Sequence, residues 1–275
     1  MKTMSQGLSY LLPVLYLMVI YVYYTIFSGR NKRLGKRTTP FLILLVLLHM
    51  AEIASRHILI QAMPYSTSHD AFSFLAFSIL LIYMVIELSL RNHASGIFIL
   101  CFAFIPALIS TINVTWEPET SPLLTNQTFV IHASLSIIGY TALSLSAIYS
   151  LMYIIQNRNL KKHHLGRLYL QLPPLHYLEK MSMGSVFIGI LVLGIGILLG
   201  HFQADKLLGA FWPHDVKVLV TDVIWLSYLF AFLSALMLKW RGKWIAYLSL
   251  SGFLILISAG LLVIYLTQSF HNFSQ

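Results

Sequence analysis

The sequence predicts an all-α, polytopic membrane protein with about eight transmembrane helices and both termini on the outer, periplasmic side. Three observations carry that prediction. Of the 275 residues, 58% are hydrophobic and only 10% charged, where a soluble domain has about 25% charged. The hydrophobic residues lie in long continuous runs, which suits helices that close their backbone hydrogen bonds internally and does not suit the alternation of β-barrel strands. The net charge of +9 is unevenly divided between alternate connections, as topogenic charge is. A soluble enzyme is thereby excluded. So is a disulfide-built secreted fold, because Cys101 is the only cysteine, and it leaves no C-x-x-C redox or zinc motif either.

The runs follow in order, each near the roughly 20 apolar residues that cross a bilayer. The first, Tyr10–Phe27, has only Lys2 before it and a dense basic stretch after it, the reverse of a cleaved signal peptide. The second, Phe41–Ile60, carries ionisable residues inside an apolar stretch. Ala71–Leu90 and Gly96–Ile112 follow, then Phe129–Ile155, which stops where Asn157 and Arg158 begin a polar tail. A loop of about 28 residues containing Pro173-Pro174 leads to Gly184–Phe202, since proline has no N–H to give a helix interior. Val218–Leu238 and Trp244–Thr267 complete the set. The whole of 1–275 reads as one integral membrane domain with no linker or low-complexity tract.

Orientation follows from the basic residues. Arg30, Lys32, Arg33, Lys36 and Arg37 lie in the first connection, Arg91 in the third, Arg158, Lys161, Lys162, Arg167 and Lys180 in the fifth, and Lys239, Arg241 and Lys243 in the seventh. The other side has Lys2, Arg56, Lys206 and Lys217. By the positive-inside rule the odd connections are cytoplasmic and both termini are outside. The basic residues are split among short loops without an interleaved aromatic platform, so no nucleic-acid partner is expected. The partner surface is the lipid bilayer.

Eleven histidines are many for so apolar a chain. His93, His163, His164 and His176 fall on the cytoplasmic side, where they read as solvated loop residues. His69, His132, His201, His214 and His271 fall at the outer ends of spans or in outer loops. Imidazoles from separate helices can clamp a haem iron from both faces, although interfacial packing is an alternative for each one singly. His49, Glu52 and Arg56 share one narrow face of the second run, with Glu52 and Arg56 spaced as an i,i+4 pair. Ionisable groups inside a span face the bundle interior; here they serve either an internal ion pair or a functional path. Asp222 in the seventh run is a similar case.

The segment from Gly209 to Trp225, GAFWPHDVKVLVTDVIW, sets aromatics, a histidine and charges just before a span. It resembles the tryptophan-rich signature of the cytochrome c assembly family, the haem-handling membrane proteins of the CcsA and CcmC kind. Gly209, Phe211, Trp212, Asp215, Lys217 and Trp225 stand at the matching places. His214, Val216 and Val218 depart from the pattern. Pro64 to Ile79 is similar to another family segment, with Asp70 at the position of its glutamate. His132 to Tyr153 is similar to the helix bearing the family's first outer ligand histidine. Leu172 to Phe187, the glycines of GIGILLG and the WRGK turn before Gly252 match in the same order, so the resemblance covers about residues 60–275.

That resemblance implies a short, eight-helix, HemX-like member that holds non-covalent haem b at the outer face. His132 and His271 would be the axial ligands to the iron, and Trp212, Phe211, His214, Asp215 and Lys217 the surrounding cofactor-binding residues. Asp215 would orient a ligand imidazole, and Lys217, Lys206 or Arg56 would meet the propionates. A further ligand position of longer members falls at Leu233. Extra spans and the soluble outer domain of the catalytic forms have no counterpart, which implies an accessory haem-handling or haem-transport role rather than a complete cytochrome c haem lyase. Implied partners are haem, apocytochrome c and other assembly proteins, in a bacterial inner membrane. The alternatives are a HemX-like regulator or scaffold of haem biosynthesis, acting through the Asn157–Ser182 loop, and a small transporter using the His49, Glu52 and Arg56 face.

Overall fold

The computed structural model of the chain describes residues 2–29, 38–60, 67–90, 93, 95–116, 126–163, 166–213 and 215–266. Nine helices make up the regular structure of these residues: α1 (Lys2–Phe27), α2 (Thr38–Ile60), α3 (Ser68–Leu90), α4 (Gly96–Ile112), α5 (Gln127–Lys161), α6 (Arg167–Gln171), α7 (Leu175–Leu208), α8 (Val216–Met237) and α9 (Lys243–Leu266). Seven of them, all but α4 and α6, are long and apolar enough to cross a membrane. The 17-residue α4 corresponds to the expected fourth span and rises about 26 Å at 1.5 Å per residue.

Each apolar run falls on one helix, but two helices extend well beyond their runs. α5 has 35 residues and α7 has 34, which at 1.5 Å per residue is about 50 Å each, against a hydrocarbon core of roughly 30 Å. The apolar run marks where the bilayer lies, not where helical propensity ends. Arg158, Leu160 and Lys161 are good helix formers, so α5 continues to Lys161, and α7 begins directly after Pro173-Pro174 with Pro174 at its N-cap. The long fifth connection is therefore mostly helical, and it includes the five-residue α6.

The chain divides into two compact units. The first comprises Met1–Thr125 with Gly166–Pro173, the second Asn126–Leu165 with Pro174–Gln275.

In the first unit α1 to α4 pack around Tyr16, Leu42, Leu45, Ile79, Leu80, Tyr83, Ile99 and Leu100, all of them buried. Leu44, Leu47, Met50, Leu81 and Val85 on the same helices face outward. Exposed apolar and buried polar side chains invert the soluble pattern. His49, Glu52, Arg56, His69, Asp70 and Glu87 are each no more than 2% exposed, as expected where lipid tails give no hydrophobic drive between helices and polar contacts join them instead.

In the second unit α5 lies close along α7 because small residues meet. A methyl group added at Gly139 would fall 2.8 Å from the Leu193 backbone, so only glycine permits this approach. Trp225 of α8 donates its indole N–H to the Ile190 carbonyl at 2.8 Å and lies over Gly194. Tyr228 joins Leu143, Val186, Ile190 and Leu193 in the core. Ser182 of α7 is hydrogen-bonded to Ser150 at 2.8 Å and Ser146 at 3.1 Å on α5. The WRGK turn is set by Gly242, whose φ of 63° is left-handed and whose N–H donates to Glu179 at 2.9 Å.

Candidate functional site

The site expected from the sequence falls in the second unit, at the end that holds the start of α5, the end of α7 and the start of α8. Asn126 caps α5 by accepting from Thr128 N at 3.0 Å, which fixes His132 in the second turn. The His132 Nδ1–H donates to the Gly196 carbonyl at 2.7 Å. With its proton on Nδ1, the neutral ring keeps the Nε2 lone pair for a metal, the arrangement in which a ligand histidine is usually held. Two glycines one turn apart let α5 and α7 approach here, and the second of them makes room for the ring. A methyl group at Gly196 would meet Ser136 Oγ at 2.9 Å, and one at Gly200 would meet His132 Cε1 at 2.6 Å. Thus Gly200, the last glycine of GIGILLG, leaves a slot for one imidazole, and the donor chemistry of His132 fits a ligand to haem iron.

The aromatic segment after α7 is organised by His201, which the sequence grouped with the outer histidines but did not single out. His201 is 6% exposed. Its Nδ1–H donates to the Phe211 carbonyl at 2.9 Å, and its Nε2 lies 3.2 Å from the Asp222 carboxylate. Both ring nitrogens thus face acceptors. Phe211 stacks on this imidazole with centroids 5.2 Å apart, and Trp212 meets it edge-on at 5.5 Å. Trp212 is 63% exposed and so presents a free aromatic face. His201 directly follows Gly200, against which the His132 ring lies. Lys217 and His201 both lie within electrostatic range of His132.

Two expected roles change. Asp215 accepts from Lys217 N at 2.8 Å and Val218 N at 3.4 Å as the N-cap of α8, a common use of aspartate at a helix start. The carboxylate that faces an imidazole is Asp222, about two turns further along α8. The sequence signal is a histidine and an aspartate in consecutive spans, and nothing in their spacing joins them. Trp225 packs α8 on α7 and is not part of the aromatic loop. Lys217 is exposed and lies within electrostatic range of the Asp215 carboxylate. His214 and His271 lie outside the described residues.

In the first unit, Arg56 does not take Glu52 as its partner. Its Nε donates to Asp70 at 2.7 Å and its Nη1 to the Thr115 carbonyl at 3.1 Å, and the guanidinium lies 5.6 Å from the Trp116 ring centroid. Arg56 is therefore engaged within its own unit and not held ready for a propionate. Glu52 instead meets His69 Nε2 at 3.2 Å, while His69 Nδ1 faces the Ser110 carbonyl at 2.9 Å. Both nitrogens of this outer histidine are committed. His93 is likewise not a simple solvated residue, since its Nδ1 lies 3.1 Å from Glu87 Oε1.

The family model described as Cytochrome C assembly protein matches residues 65–271. Protein HemX of Bacillus subtilis (strain 168) is 27% identical over 263 residues, covering 95% of each chain. Protein HemX of Brevibacillus brevis is 26% identical over 218 residues, covering 76% of this chain and 78% of that one. The cytochrome c biogenesis protein CcsA of Heterosigma akashiwo (strain NIES-293 / 8280G21-1) is 25% identical over 248 residues, covering 76% of each.

Proposed function

This chain belongs to the cytochrome c assembly family, and from that premise we propose that it is a haem-handling membrane protein that holds non-covalent haem b at the outer face of a bacterial inner membrane, crossing it eight times with both termini outside. One observation carries the reading: His132 is fixed through Nδ1 to the Gly196 carbonyl, so its Nε2 is oriented and chemically free to ligate iron. His271 is the second axial ligand on the family resemblance. Phe211 and Trp212 supply an aromatic wall against the macrocycle, held by His201 and Asp222. Lys217 meets a propionate by a charge-assisted contact, and His214 lines the same loop.

The chain's own work in this reading is to bind, orient and shield. His132 would hold the iron, Trp212 would shield the macrocycle, and Lys217 would meet a carboxylate. Haem, when bound, supplies the reactive vinyl groups for attachment to apocytochrome c, and the protein acts as an accessory rather than as a complete haem lyase, in company with other assembly proteins.

The test is absorption spectroscopy of detergent-purified protein supplied with haem b. A Soret band that weakens or shifts in His132→Ala is expected. No Soret band with haem in excess overturns the reading, and an unchanged band in His132→Ala removes that residue as a ligand.

A second reading is favoured by the match to protein HemX over 95% of both chains: a regulatory or scaffold protein of haem biosynthesis. A deletion strain separates the two. Loss of covalent c-type haem supports assembly, whereas changed levels of early haem-synthesis enzymes with normal cytochromes support regulation.

A further inference from the structure

The first unit holds a buried polar chain that haem handling does not use. It begins on α1, where Ser9, Tyr16 and Tyr23 recur every seven residues and so lie on one face. Each gives its hydroxyl to an ionisable partner or a histidine: Ser9 donates to Glu52 Oε1 at 2.8 Å, Tyr16 lies 3.0 Å from His49 Nδ1, and Tyr23 donates to Glu87.

The direction of the bonds around His49 follows from donor counting. Ser73 Oγ donates to Glu52 Oε2 at 3.1 Å. Its single proton is thus committed, and it accepts from His49 Nε2, which lies 3.0 Å away. His49 therefore carries its proton on Nε2, and its Nδ1, 3.0 Å away, is the nearer acceptor for the Tyr16 hydroxyl, the Ala76 carbonyl lying at 3.4 Å. Tyr16, His49, Ser73 and Glu52 form a row in which every donor points the same way. Beyond it, Glu52 Oε1 meets His69 Nε2 at 3.2 Å, and His69 Nδ1 lies 2.9 Å from Ser110 Oγ.

A second cluster lies toward the other end of the same helices. Tyr83 donates to Glu87 Oε2 at 2.6 Å, Thr39 donates to Oε1 at 2.9 Å, and His93 adjoins Oε1 at 3.1 Å. From Thr38 to Arg56, α2 rises about 27 Å, close to the roughly 30 Å of the hydrocarbon core. Tyr16 and Tyr23 are about 10 Å apart along α1, and a proton crosses that stretch only when water enters between them.

We infer that the first unit carries a proton-transfer path across the membrane, with the aligned row from Tyr16 to Glu52 as its conducting segment. A proton reaching the Tyr16 oxygen from the Glu87 side displaces the hydroxyl proton to His49 Nδ1. His49 passes its Nε2 proton to Ser73 Oγ, and Ser73 passes its own to Glu52 Oε2. Each intermediate residue ends with as many protons as it began, His49 ends as its Nδ1–H tautomer and returns to Nε2–H before the next transfer, and the net change is one proton moved to Glu52. Glu52 then gives a proton from Oε1 to His69 Nε2, which is open when His69 holds its own proton on Nδ1 towards Ser110, and the Nδ1 proton passes on to Ser110 Oγ. Arg56 and Asp70, the remaining charged groups at that end, neutralise each other. A purely structural network needs satisfied bonds but has no need of a common donor direction, nor of histidines as the links.

The experiment uses the full chain in liposomes loaded with a pH-sensitive dye, driven by a potassium diffusion potential. Proton uptake at least tenfold above protein-free liposomes is expected. Ser73→Ala, which removes one hydroxyl at little cost in volume, should lower that rate at least tenfold, and Glu52→Gln should abolish it. Ser258→Ala, exposed on α9, should leave it unchanged. Because Glu52→Gln alters a buried pair and can prevent folding, Ser73→Ala with an unchanged melting profile is the deciding variant. Wild-type uptake no faster than protein-free liposomes, or undiminished uptake in folded Ser73→Ala, overturns the inference. Neither outcome touches the Soret test, so the two functions fail separately.

Discussion

The His132 ring occupies the space that a side chain on Gly200 would need: a methyl group there would lie 2.6 Å from His132 Cε1. Helix α7 and the candidate ligand are therefore matched in shape as well as joined by the bond to Gly196. Gly200→Ala should turn the imidazole out of its slot. Losing the support that aims a metal ligand typically weakens affinity about 10–100-fold, so haem titration followed at the Soret band should show a drop of that size, with the helical circular dichroism intact.

Asp222 holds His201, and His201 holds the aromatic loop. Asp222→Ala removes the acceptor from a buried imidazole and should cost about 1–3 kcal/mol, while Asp222→Asn, which retains a neutral acceptor oxygen, should cost less. Detergent unfolding followed by circular dichroism orders the two variants. Quenching of Trp212 fluorescence by iodide, in a background with the other tryptophans replaced by phenylalanine, should change more in Asp222→Ala than in Asp222→Asn.

Arg56 and Asp70 are a desolvated pair, with side chains 1% and 0% exposed. Removing one partner strands the other charge, so Arg56→Met or Asp70→Leu alone should destabilise the first unit by about 3–5 kcal/mol. The double variant should recover most of that loss, because the apolar pair carries no desolvation cost. A double-mutant cycle on thermal unfolding checks this; additive single effects would refute the coupling.

Orientation is tested with cysteines in a Cys101→Ser background. Asn159→Cys, near the end of α5, should react with a membrane-impermeant maleimide only after the membrane is opened, whereas Trp212→Cys should react in intact cells. The reverse pattern would invert the topology that the basic loops imply.

The residues themselves determine the class and the span positions of this protein. Apolar runs of about 20 residues are a property of composition along the chain, and each run lies on a helix. Even the inward face of α2 was legible, since the 3.6-residue period sets His49, Glu52 and Arg56 together whatever surrounds them. The ordered family segments likewise depend on residue order alone.

Tertiary structure decided the partners. Arg56 lies one turn from Glu52 but bonds to Asp70 on α3, because the pairing of a buried charge is settled by what the neighbouring helix presents and not by intrahelical spacing. His201 with Asp222, and His132 with Gly196, join residues 21 and 64 positions apart, distances at which no local period operates. The outer histidines looked alike in the sequence. Only packing separated His132, with a nitrogen free to bind, from His69 and His201, whose nitrogens are both in use.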